Sequence, residues 1–214
     1  MAPRGILVSF DGPGGAGKTT VVSHLTALLT VQGWPVHATA EPSDGPIGRL
    51  ARDLVDAGEA EGWELACLFA ADRYEHLRTE VRPHLADGRI VLCDRYLASG
   101  LVVQRMDGID LPFLAAVNRH VDPPDLAVIL TARPGVINRR IARRGAHNRY
   151  QYGPNAAAAS LAYYAEAEAH LYELGVNVAQ IDTTDTPPEQ IAETLVAAIG
   201  RMRGTDPSLI GATR

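Results

Sequence analysis

The segment that most restricts this chain is Gly12-Pro13-Gly14-Gly15-Ala16-Gly17-Lys18-Thr19-Thr20. It follows the pattern G-x4-G-K-[ST], lies directly after a short apolar run (Ile6–Phe10) and opens a helical stretch. Glycine lets consecutive backbone N–H groups turn inward, as a loop that wraps an anion requires. The helix beginning near Lys18 aims the positive end of its dipole into the same space. Strand, glycine loop and helix in that order predict a nucleoside triphosphate site, with ATP phosphates held by residues 12–20. Lys18 is the mobile charge for the β- and γ-phosphates, and Thr19 offers a hydroxyl to Mg²⁺. The plainer reading, a glycine-rich turn with a surface lysine, is disfavoured by the flanking strand and helix.

Lys18 stands out in another way. Of the 20 Lys+Arg, nineteen are arginine and Lys18 is the one lysine. Codon supply accounts for arginine wherever a cation suffices, yet an arginine fork and a slim ammonium are not interchangeable. Without a second lysine the Asn-Lys-x-Asp loop that reads guanine cannot exist, which removes the GTPases. AAA-type motors and transporter ATPases need more chain. Small phosphoryl-transfer kinases remain.

Length and composition exclude further classes. A chain of 214 residues suits one domain with a small lid: 1–205 as the domain, about 139–155 as the lid, 206–214 as a loose tail. At 46% hydrophobic and 21% charged it is not disordered, and a net charge of −5 does not suit a nucleic-acid coat. Cys67 and Cys93 are too few for a disulfide scaffold or a zinc knuckle, and both read as reduced core residues. No apolar run approaches the ~20 residues of a membrane helix, and the start does not read as a signal peptide, so a soluble cytoplasmic protein is expected.

Runs at 6–10, 35–40, 89–93, 126–130 and 176–181 read as strands buried on both faces. Helical patterns occupy about 18–32, 61–86, 111–120, 134–143, 156–174 and 187–202. The alternation predicts an α/β fold: five parallel strands flanked by helices, with ligands beyond the strands' carboxyl ends. Gly145–Asn155 is polar and aperiodic, a candidate mobile loop.

The third strand ends in Cys93-Asp94-Arg95-Tyr96. Asp94 there can hold Mg²⁺ or its water, or simply cap the next helix, while Arg95 can clamp a phosphate bidentately. On the long helix, Phe69 precedes Arg73 by one turn, which fits either a stacking platform or a core ring beside a salt bridge. After the fourth strand, Arg139, Arg140, Arg143, Arg144 and Arg149 form a basic segment. It can be a solvated face, a nucleic-acid patch, or a lid that brings charge to a transferring phosphoryl group. For the lid, Arg143, Arg144 and Arg149 are the candidates.

Phe10-Asp11-Gly12, Gly17-Lys18-Thr19-Thr20, Glu41-Pro42, Leu68-Phe69-Ala70-Ala71-Asp72-Arg73 and Asp94-Arg95-Tyr96-Leu97-Ala98-Ser99, in that order, resemble thymidylate kinases. The resemblance runs from about 5 to 185. It implies ATP-dependent phosphorylation of a nucleoside monophosphate, dTMP first, with Mg²⁺, by a homodimer with a mobile lid. It further implies that Phe69 stacks on the pyrimidine, Arg73 reads the base and Arg95 holds the acceptor phosphate. Asp11, Glu41, Ser99 and Gln104 complete the implied substrate site. Departures gather around the nucleoside: Gly14 stands where a carboxylate is common, Gly100 where a polar residue is, Val103 where a tyrosine is, and Ala40 where an arginine is. The departures leave two alternatives open: a kinase of this fold acting on another nucleotide or a specialised metabolite, and a non-catalytic nucleotide-binding regulator.

Overall fold

A computed structural model describes residues 4–145 and 155–204 of the chain. Arg149, most of the expected lid and the 206–214 tail therefore lie outside the described residues. Five strands form one parallel sheet: β1 (Ile6–Asp11), β2 (Val36–Ala40), β3 (Ile90–Asp94), β4 (Leu126–Thr131) and β5 (Asn177–Asp182), in spatial order β2-β3-β1-β4-β5. Each lies within a residue or two of its expected run. The order reverses beside β1, since the chain moves outward to β2 and β3 on one side and then crosses to β4 and β5. A crevice is expected there, beyond the carboxyl ends.

Alternate residues of the inner strands serve two cores. Leu7, Val91, Cys93, Ala127 and Ile129 face one side, while Val8, Phe10, Leu92, Val128 and Leu130 face the other. The first is covered by α3 (Gly62–His76), α4 (Arg82–Ala86), α6 (Leu111–Val117) and α8 (Ala156–Glu173), and the second by α1 (Lys18–Val31) and α9 (Pro188–Met202). The edges differ from expectation: β2 and β5 are only half buried, because each has a neighbour on one side alone. The helix expected over 61–86 is continuous but not uniform. Pro83 lacks an N–H and would crowd a carbonyl one turn back, and a widened π turn at Leu77–Val81 precedes it.

Three helical pieces lie outside the expected helical patterns: α2 (Pro46–Ala57), α5 (Leu97–Gly100) and a 3-10 turn at Val103–Asp107. The last two are too short to show a period. α2 fully buries only Gly48 and Ala51, although Ile47, Leu50, Leu54 and Val55 recur along it at helical spacing. It docks through small atoms: a Cβ on Gly48 would lie 2.6 Å from Asp72 Oδ1, whose carboxylate accepts from Ser43 N (2.8 Å) and Ser43 Oγ (2.5 Å). α7 (Pro134–Arg144) follows β4 and packs Val136 and Ile137 against Ala157 of α8.

Ile199 of α9 is fully buried in the α1–α9 layer, whereas Leu50 of α2 is 49% exposed. Ile199→Ala should lower unfolding free energy by about 2–5 kcal/mol, read as a lower urea midpoint at unchanged slope. Leu50→Ala should stay within about 0.5 kcal/mol. Equal effects of the two would contradict this division between core and surface.

Candidate active site at the carboxyl end of the sheet

Strand register brings the reactive segments level. Ala40, Phe10 and Asp94 are paired across β2, β3 and β1, so Glu41, Asp11 and Arg95 leave the sheet side by side. Backbone bonds hold the exits together: Arg95 N donates to Phe10 O (2.8 Å) and Glu41 N to Asp94 O (3.0 Å). Asp11 is fully buried, and its Oδ1 accepts from Tyr96 N (3.0 Å) and Ser99 N (2.8 Å). It therefore ties β1 to the turn after β3. In that turn Arg95 takes φ 70°, a left-handed conformation that costs a non-glycine residue energy and here redirects its side chain.

The glycine loop leaves β1 at Gly12, whose φ of 133° and close approach to the Leu130 carbonyl both exclude a side chain. Gly17, also left-handed, immediately precedes α1. Lys18 folds across the loop and donates from Nζ to Gly12 O (2.8 Å) and Pro13 O (2.9 Å). Its pKa falls from the usual 10.5 to about 7, because burial penalises the ammonium and Arg95 repels it, while Asp94 and Asp11 oppose the shift. Thr19 Oγ1 donates to Asp94 Oδ2 at 2.5 Å. A hydroxyl and a carboxylate side by side are two hard oxygen donors, which fits a magnesium ion. Arg140 of α7 braces the loop from outside: it donates to Gly15 O (3.4 Å) and to Thr183 Oγ1 (2.8 Å), and that hydroxyl donates to Ala16 O (2.9 Å).

A cavity of about 480 Å³ runs from this loop to α3. The loop residues except Ala16 line it, as do Glu41, Phe69, Arg73, Asp94, Arg95, Ser99, Gln104 and Arg144. Most expected site residues thus share one enclosure. Ala16 is packed in the core, Asp11 lies behind the wall, and Arg143 is exposed outside the cavity. Gly14, Ala40, Gly100 and Val103, the departures noted above, all line it too.

The far end carries a buried charge network. Glu41 Oε2 accepts from Arg73 Nε at 2.8 Å, and Arg73 Nη2 lies 2.8 Å from the same oxygen. Glu41 Oε1 is 3.2 Å from His76 Nδ1, and His76 Nε2 is 2.8 Å from Thr39 Oγ1. Burial lowers the His76 pKa, but bonding to Glu41 and the charges of Glu41 and Glu80 outweigh it, so the net shift is upward. Glu41, His76 and Cys93 place ligand-type atoms within 4.8 Å of one another, but Glu41 is engaged on both oxygens, Oε2 by Arg73 and Oε1 by His76. Cys67 corrects the expectation of two core cysteines: it is exposed, and only Cys93 is buried.

Several wall residues had no advance signal. Tyr164 of α8 is buried, its hydroxyl 3.0 Å from Ser99 Oγ, and it lines the cavity with Arg52, Val55 and Asp56 of the unanticipated α2. An aromatic pair in an alanine-rich helix (Tyr163-Tyr164) and the Gly45-Pro46 helix start were the available hints.

The thymidylate kinase family model matches residues 10–193. A probable thymidylate kinase of Pyrobaculum aerophilum is 39% identical over 146 residues, 68% of this chain and 74% of that protein. A thymidylate kinase of Xanthomonas oryzae pv. oryzae is 37% identical over 145 residues, 68% of this chain and 64% of that one. Among solved structures, the Candida albicans thymidylate kinase superposes with a TM-score of 0.76 at 20% identity, covering 95% of this chain and 94% of its own, a likeness of fold.

The Lys18 pKa near 7 has a measurable sign. Above that pH the free protein holds Lys18 largely neutral, and a bound polyphosphate favours the ammonium. Nucleotide binding at about pH 8 should therefore take up close to one proton, falling toward zero by about pH 6. Titration calorimetry in buffers of different ionisation enthalpy reads this number directly. Proton release at pH 8, or uptake that persists in Lys18→Met, would contradict the assignment.

Proposed function

The chain belongs to the thymidylate kinase family, and on that footing we propose that it transfers the γ-phosphoryl group of ATP to a nucleoside monophosphate, dTMP first. The observation that carries this reading is the continuous cavity with the phosphate loop at one end and Phe69 with Arg73 at the other. A donor nucleotide and an acceptor nucleotide entering from opposite ends would meet between Lys18, Arg95 and Arg144.

The chemistry is positioning and electrostatics, with no covalent intermediate. The loop N–H groups and Lys18 hold the donor phosphates. Arg95, redirected by its left-handed backbone, holds the acceptor phosphate in line. An acceptor phosphate oxygen is already ionised, so no general base is required. The phosphate loop contains no arginine, and charge on the transferring group falls to Arg144, which lines the cavity and acts electrostatically on Lys18. Arg143 points elsewhere, and Arg149 lies outside the described residues. Phe69 stacks the base. Thr19 and Asp94 would hold Mg²⁺, which when bound neutralises charge on the β- and γ-oxygens.

The same reading implies a cytoplasmic homodimer working on free nucleotides rather than on nucleic acid or membranes. Among the described residues no helix is long and apolar enough to cross a membrane. Exposed Trp63, edge-on to Phe113 at 4.7 Å, offers apolar surface for a second copy. A second acceptor reading has its own support: Gly14, Ala40, Gly100 and Val103 line the cavity where larger polar residues are common in the family. A panel of nucleoside monophosphates with coupled ADP detection separates the two. Turnover of dTMP above all others supports the first, and silence on dTMP with turnover of another acceptor supports the second.

Lys18→Ala should lower kcat by about 10²–10³ or more, the scale expected for loss of a transition-state charge contact. Unchanged turnover would leave a nucleotide-binding regulator as the better description. Arg144→Ala should cost a similar factor in kcat with little change in the acceptor KM, and Arg143→Ala should stay within about threefold. Equal losses in the two arginine variants would overturn the assignment of Arg144.

A further inference from the structure

Arg73 is held on more sides than the network with Glu41 explains. Its Nη1 donates to Asn118 Oδ1 at 2.5 Å, and its Nη2 donates to the Tyr96 carbonyl at 3.1 Å. Asn118 is buried just past the end of α6, 45 residues away in sequence, and its own orientation is set because Nδ2 donates to Leu114 O at 2.8 Å. The amide cannot flip without turning an N–H toward a guanidinium, which has no acceptor.

The fourth side is steric. A Cβ on Gly100 would lie 2.6 Å from Nη1, 2.8 Å from Nη2 and 3.0 Å from Cζ of Arg73. Gly100 does not have positive φ, so its backbone would accept alanine, and the need for glycine is the space itself. A larger residue at this position would drive the guanidinium away from Asn118 and the Tyr96 carbonyl.

Of the five N–H groups on Arg73, Nε–H and Nη2 face Glu41 and Tyr96 O, and Nη1 uses one on Asn118. Among the described residues the other N–H of Nη1 meets no acceptor, and Arg73 lines the cavity. We infer that Asn118, with the space left by Gly100, is the positioning element that determines how Arg73 presents this last donor to the acceptor base. Asn118 does not touch the acceptor. It acts through Arg73, and together they favour a base with a carbonyl at that edge over one with an amino group, since a lone N–H donor rewards only an acceptor. The inference rests on the nucleoside monophosphate kinase reading above.

The test is steady-state kinetics of the full chain with dTMP and dCMP as acceptors, alongside thermal unfolding. Asn118→Ala removes the acceptor from Nη1 and should raise the dTMP KM about tenfold and shrink the dTMP-over-dCMP preference, with the ATP KM unchanged. Asn118→Asp keeps an oxygen for Arg73 but loses the donation to Leu114, so it should lower the unfolding temperature while holding the dTMP KM within about threefold. Gly100→Ala should mimic Asn118→Ala in KM and preference by displacing the guanidinium sterically, and it reports even if Asn118→Ala does not fold. The inference is overturned if Asn118→Ala leaves KM and preference within twofold, if Asn118→Asp raises KM as much as Asn118→Ala does, or if Gly100→Ala behaves as the native chain. Native protein that turns over no nucleoside monophosphate would instead sink the underlying reading, and the inference with it.

Discussion

The site is organised around the Asp11 carboxylate. A carboxyl group this deep is costly unless donors meet it: two backbone N–H groups, from Tyr96 and Ser99, converge on Oδ1, while Oδ2 is buried with no hydrogen-bond partner among the described residues. Those bonds fasten the end of the central strand to the turn after its neighbour. Gly12 follows Asp11 directly, so the phosphate loop starts from that anchored point. Arg95 precedes the anchored Tyr96, which is how an arginine in a left-handed conformation persists there. The same negative charge acts on Lys18 and on Arg73, at the two ends of the cavity. Asp11 does not line the cavity, yet the geometry of both halves passes through it.

The cationic side chains divide by chemistry. Lys18 is enclosed and partly stripped of its charge preference, folded against two carbonyls of its own loop. A compact ammonium can leave such carbonyls for phosphate oxygens without reorganising a planar group. Arg73 is the opposite case. It stays firmly charged through Glu41 despite burial, and its three nitrogens are held by a carboxylate, an amide and a carbonyl. The single lysine and the buried arginine thus mark a mobile contact and a fixed one. That contrast explains why an arginine-rich chain retains lysine at one place.

What the sequence disclosed follows from range. The phosphate loop is local, so its pattern carries its own context, and inner strands show as unbroken apolar runs because both faces are covered. Lys18, Thr19, Asp94 and Arg95 were legible for that reason. Helix α2 was not, although Ile47, Leu50, Leu54 and Val55 recur at helical spacing, because Pro42, Gly45, Pro46 and Gly48 read as loop punctuation at its start. Tyr164 and Asn118 were not, because each acts through a partner 65 or 45 residues distant, and no spacing rule reaches so far. Cys67 misled because cysteine is usually buried, while its place on α3 faces outward.

Gly100 shows how a departure from a family pattern changes meaning once packing is known. Read from sequence beside Gly14, Ala40 and Val103, it looks like one more contact removed from the nucleoside. In the fold its missing side chain is the volume that Arg73 occupies, and a polar residue there would compete with that guanidinium for space. The loss of one hydrogen-bonding group is therefore coupled to the fixed placement of another. Gly14, Ala40 and Val103 line the same cavity, and none of them brings a hydrogen-bonding side chain to it.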